Sequence, residues 1–146
     1  FGDLNDFRIV AADFPEAIIR PNRRAHRQFD ATDRIVAWAT IELPSEVLLT
    51  PVVEWRTGFP YSVLAEDQSY VGPANSERFP DFFALDLQAT KTFDIKGYRI
   101  TGGAKISNIT GHDNPRQVVS NVADDNFGDF RNSVPLKVRM VFAFRF

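Results

Sequence analysis

From residue 34 onward, apolar and polar side chains alternate in short segments. In 34–43, Ile35, Ala37, Ala39, Ile41 and Leu43 share one parity against Arg34, Thr40 and Glu42, and in 47–56, Val47, Leu49, Val53 and Trp55 stand opposite Thr50, Glu54 and Arg56. Phe83, Leu85, Leu87 and Ala89 alternate with Asp86, Gln88, Thr90 and Thr92 over 83–93, with Lys91 the one charge on the apolar row. Tyr98, Ile100, Gly102, Ala104 and Ile106 alternate with Arg99, Thr101, Lys105 and Ser107 over 98–108. The last segment, 136–146, sets Leu136, Val138, Met140, Phe142, Phe144 and Phe146 against Lys137, Arg139 and Arg145. A period of two belongs to a strand with two different faces, and helical spacing fits none of these segments as well. The pattern predicts five strands.

The connections alternate too. Residues 43–46 and 94–97 read as tight hairpin turns, whereas 57–82 and 109–135 are long, polar and rich in Gly, Pro, Asn and Asp. An antiparallel sheet packed on a core, with its other face in water, explains the alternation equally well; that is a soluble β-sandwich whose long loops form a ligand site. The strands, however, have the length of roughly ten residues that a tilted strand needs to cross a bilayer. Short turns on one side and long loops on the other are the habit of outer-membrane barrels. A terminal strand ending on Phe146 suits a cylinder that must close, since chain ends otherwise tend to fray. The predicted fold is therefore all-β, and on these grounds the soluble sandwich stands level with an antiparallel up-and-down transmembrane β-barrel, present as about five strands in 34–146. Residues 1–33 are expected to be the remnant of a further extracellular loop. The opening at Phe1, without a basic then apolar leader, predicts a C-terminal piece of a longer chain.

Composition narrows the functions. With 146 residues and 44% hydrophobic content the chain could form a soluble core, so size does not decide between the two folds. A net charge of −2 with scattered Lys and Arg offers no basic stripe, which argues against a nucleic-acid partner. Uninterrupted apolar runs, such as 35–39 and 140–144, fall far short of the ~20 residues of a spanning helix, so any span here is a strand. The absence of cysteine removes disulfides and thiolate metal sites. The 14 phenylalanines cluster with Trp and Tyr at predicted strand ends, as an interfacial belt or a core would require.

No constellation points to catalysis. His26 and His112-Asp113-Asn114 lie far apart in loops without a spaced carboxylate set, and they read as ordinary loop residues. The stretch 124–129 is rich in oxygen donors but lacks the spacing and closing Glu of a calcium loop. No enzyme and no cofactor are expected. Glu54, Arg56, Asp86, Gln88, Lys105 and Arg139 fall on the polar parity, which in a large barrel faces the lumen. They are candidates for holding a plug or lining a solute path, although a wet face explains each of them singly.

Several stretches resemble the C-terminal barrel region of TonB-dependent outer-membrane receptors, in particular the Oar-like group with a carboxypeptidase-regulatory-like N-terminal domain. The residues that carry the resemblance are 54–62 (EWRTGFPYS), 78–93 (RFPDFFALDLQATKTF), 105–116 (KISNITGHDNPR), 127–130 (FGDF) and the closing Phe-x-Phe. Family members usually read Asn-Leu-Thr-Asn-His where this chain has Asn108-Ile-Thr-Gly-His112, and residues 1–33 match no part of the pattern. The resemblance implies a barrel of about 22 strands around an N-terminal plug. It places the protein in the outer membrane of a Gram-negative bacterium, where contact with inner-membrane TonB powers uptake of a scarce large solute such as a metal chelate or an oligosaccharide. It also implies that Phe142, Phe144 and Phe146 form a C-terminal signal read by the barrel-assembly machinery. The expected partners are thus outer-membrane lipid, the remainder of the barrel with its plug, TonB and that machinery.

Overall fold

A computed structural model of the protein describes residues 25–145. The described residues are all-β, with antiparallel strands and no helix among them. In chain order the strands are β1 (Arg34–Trp38), β2 (Ile41–Leu43), β3 (Val47–Arg56), β4 (Pro60–Tyr61), β5 (Glu77–Arg78), β6 (Phe82–Ile95), β7 (Tyr98–Ser107), β8 (Gln117–Val118), β9 (Phe130–Arg131) and β10 (Lys137–Arg145). They fall into two compact units. One comprises Asp33–Arg56, Phe82–Asn114 and the described part of Val134–Phe146; the other comprises residues 25–32, Thr57–Asp81 and Pro115–Ser133.

The first unit is a six-stranded sheet of order β1-β3-β6-β7-β10, with β2 beside β3. The segment 34–43 pairs with β3 in one unbroken register, from Arg34↔Arg56 to Leu43↔Val47, yet it is interrupted at Ala39 and Thr40. The cause is Pro51, which accepts a hydrogen bond from Ala39 N–H at 3.2 Å but has no N–H to return. At its C-terminal end β6 runs two residues further than its alternation predicts. Lys96 and Gly97, at φ 51° and 85°, make a two-residue turn between the paired Ile95 and Tyr98. Left-handed φ at both central positions matches the natural twist of a hairpin, and Gly97 takes it without steric cost.

The registers align the rows expected from the sequence. Ile35, Trp55 and Phe83 lie abreast across β1, β3 and β6, and Ala89, Ala104 and Met140 lie abreast across β6, β7 and β10. One face of the sheet is therefore apolar from edge to edge, interrupted only by Lys91. That face is open at the edge strands: Ile35 is 59% exposed, Met140 68% and Phe144 73%. Apart from Pro60 and Ala74, both in the other unit, no apolar side chain is buried among the described residues. Two glycines stand together on β7. Gly102 lies on the apolar row with the Phe142 ring 3.9 Å from where a Cβ would be, while a Cβ on Gly103 would overlap the Ala89 carbonyl.

The second unit is built from the long connections, which are more ordered than their composition predicts. β4 pairs with β5 through Pro60↔Arg78 and Tyr61↔Glu77, and β8 pairs with β9 through Gln117↔Arg131 and Val118↔Phe130. Leu64 stitches the connections to each other: its N–H donates to Ser120 O and its carbonyl accepts from Val122 N–H, each at 2.8 Å. Rings of Tyr61, Phe79 and Phe130 meet edge-on or tilted, with centroids 5.3 to 6.3 Å apart. Gly58 fits beneath the Phe79 carbonyl at a point where any Cβ would overlap it. Arg78 donates to both Asp30 O and Gly58 O at 2.9 Å, which ties residues 25–32 to this unit.

Candidate functional site

All six polar-parity candidates share the face opposite the apolar one. Gln88, Lys105 and Arg139 stand directly abreast on β6, β7 and β10, and Asp86 lies two residues before Gln88, within hydrogen-bond reach of Ser107. Asp86 is the hub of this face: it accepts from Ser107 Oγ and Asn108 N–H at 3.0 Å each and pairs with Lys105 Nζ at 3.2 Å. Glu54 pairs with Arg34 at 3.0 Å, and the Arg56 guanidinium lies 4.6 Å from the centre of the Phe82 ring. The two ends of the sheet differ in charge balance. On β10, Arg139 faces Lys105 and Arg145 faces Arg99, while Asp86 and Asp94 are already taken by Lys105 and Arg99. Like charges directly across a strand pair repel, so β10 presents a cationic column that lacks a carboxylate among the described residues.

Where β7 ends, the sequence 108–114 locks the sheet. β6 pairs with β7 only from Leu87 onward, which leaves the β7-side groups of Phe83 and Leu85 without a strand partner. Ile109 N–H satisfies Leu85 O at 2.8 Å, and the Asn114 side chain replaces a strand at Phe83. Its Oδ1 accepts from Phe83 N–H at 3.0 Å and its Nδ2 donates to Phe83 O at 2.8 Å. Asn108, in the left-handed region at φ 52°, donates from Nδ2 to His112 O and to Val134 O, which leads into β10. Both asparagines are 2% exposed and fully partnered. A charge-neutral amide carries a donor and an acceptor side by side, the same pair a peptide group offers, and this is why Asn rather than Asp fits here. Alternation points to neither residue; both lie in the 105–116 stretch that carries the family resemblance, which does not reveal their clamping role.

His112 belongs to the same lock, with Nδ1 3.1 Å from Asn114 Oδ1 and its ring edge-on to Phe83. His26 pairs with Asp30 at 2.8 Å in the other unit. Among the described residues no three His, Asp or Glu side chains converge to hold a metal ion. In the stretch 124–129 the Asp124 carboxylate accepts from the Asn126 backbone and side-chain amides, which hold it below the ordinary carboxylate range. Phe142 and Phe144 lie on the exposed apolar row of β10; Phe146 lies outside the described residues.

No family model matches the sequence, and neither a curated protein nor a solved structure matches it.

Proposed function

We propose that this chain is the C-terminal wall of a TonB-dependent outer-membrane receptor, taking up a scarce large solute such as a metal chelate or an oligosaccharide. In this reading the apolar face of the sheet meets lipid. The face bearing Glu54, Arg56, Asp86, Gln88, Lys105 and Arg139 lines a wet lumen against the plug, and the unit built from the long connections lies outside the cell. The observation that carries the reading is the apolar row itself, continuous across the sheet and uncovered, beside strands of about the length a tilted span requires. A soluble sandwich would bury that row against a second sheet, and an open apolar surface of this extent is otherwise an interaction or aggregation surface. Among the described residues the outer edges of β1 and β10 have no strand partner, which fits an arc continued by further strands, because a bilayer tolerates no unpaired strand edge.

Single spin-labelled cysteines at Met140 and Phe142, in the intact protein reconstituted in bilayers, should be relaxed by oxygen dissolved in lipid. Labels at Lys105 and Arg139 should be relaxed by a water-soluble nickel chelate. Nickel access at all four positions, in a protein that stays monomeric in plain buffer, would refute the reading and favour the soluble ligand-binding module.

A further inference from the structure

The second unit contains a cavity of about 370 Å³, which falls within the range of roughly 300–1,000 Å³ occupied by small-ligand pockets. Its walls include Phe59, Tyr61 and Phe79, and its polar lining includes Gln28, Arg116 and Ser120. The walls are fixed. Phe59 meets Phe29 edge-on with centroids 5.7 Å apart, Tyr61 meets Phe79 at 5.3 Å, and beside the β4–β5 pair Phe79 N–H donates to Phe59 O at 2.9 Å.

The polar groups are in the opposite condition. The Tyr61 hydroxyl, the Gln28 amide, the Ser120 hydroxyl and the Arg116 guanidinium engage no partner among the described residues, although neighbouring Ser62 and Asn75 are bonded to each other at 2.8 and 3.0 Å. A cavity with preset aromatic walls and idle hydrogen-bonding groups is matched to a ligand that has an apolar ring face and many hydroxyls. Arg116 adds a preference for a carboxylate, which a guanidinium holds by two parallel hydrogen bonds. A flat aryl acid would use the walls and Arg116 but leave Gln28, Ser120 and Tyr61 idle; a sugar ring uses them all.

We infer that this cavity binds the uronic-acid ring of an acidic oligosaccharide. The pyranose C–H face lies on the aromatic walls, the carboxylate on Arg116 and the ring hydroxyls on Gln28, Ser120 and Tyr61. The site stands on the second unit alone, whether or not the sheet crosses a membrane. Isothermal titration of the intact protein with trigalacturonate and with neutral galactotriose tests it by binding, without any transport readout. Trigalacturonate should bind at least about fivefold more tightly than the neutral trisaccharide, and Arg116→Gln should remove that preference. Gln28→Ala, a substitution at an exposed position away from the aromatic walls, should weaken both sugars. Equal affinity for the two sugars, no binding of either, or an Arg116→Gln variant that keeps the preference would overturn the assignment.

Discussion

Replacing Met140 with lysine separates the two readings of the sheet by sign. Met140 is 68% exposed and lies one residue from the midpoint of the nine-residue β10. At a rise of about 3.4 Å per residue and a tilt near 45°, it sits within about 3 Å of the middle of any bilayer that β10 spans. A lysine at that depth on the lipid face costs about 2–4 kcal/mol. In water the same change trades one exposed side chain for a better-hydrated one, with an effect inside about ±0.5 kcal/mol. Val141→Lys is the matched control, since Val141 lies on the opposite face across from Gly103. Its penalty is limited to repulsion from Arg139 and Lys105, at most about 1 kcal/mol and reduced by salt. Equilibrium urea unfolding of the intact protein in liposomes, followed by tryptophan emission, reads both variants. Met140→Lys should lose several times more stability than Val141→Lys. If Met140→Lys unfolds at the wild-type urea concentration or above it, the lipid-facing assignment of the apolar row is wrong.

Three further outcomes follow from named contacts. Asn114→Ala leaves Phe83 N–H and C=O without partners and should cost about 2–4 kcal/mol in the same unfolding assay. Asn114→Asp keeps the acceptor but sets a buried carboxylate against the Phe83 and His112 carbonyls and should cost at least as much, whereas exposed Asn126→Ala should cost no more than about 0.5 kcal/mol. Burial, with Glu77 adding to it, pushes the Tyr61 hydroxyl above its ordinary value of 10.0. The unfolded chain therefore ionises first, and this contribution, whole below pH 10, is lost as pH rises through the folded value; Tyr61→Phe should flatten that part of the stability profile measured by circular dichroism. Deleting Phe146 should lower the amount of heat-modifiable barrel recovered from outer membranes without altering solute binding by the protein that does assemble, and wild-type recovery would remove Phe146 from the assembly signal.

The strands were legible because a period of two is a local property, and every polar-parity candidate from Glu54 to Arg139 reaches one face once that parity is known. What escaped the sequence depends on distance along the chain. The break at Ala39 and Thr40 is caused by Pro51, whose missing N–H matters only once the register is known. β4, β5, β8 and β9 have two residues each, too few to display any period. The Asn114 clamp acts on Phe83 across a separation of 31 residues, so nothing beside Asn114 announces it. Likewise the cavity gathers Gln28, Tyr61 and Arg116 from three separate segments, each unremarkable alone.

The cationic column of β10 also restricts what can dock along its free edge. A second copy of β10 added antiparallel about Val141 would set Lys137 beside Arg145 and Arg139 beside Ala143, stacking cation on cation just where the exposed phenylalanines invite pairing. Self-association through this edge is thereby disfavoured, as on other protected sheet edges. A neighbour carrying carboxylates on the same face would find the edge receptive, so the charge pattern selects a foreign strand over a twin.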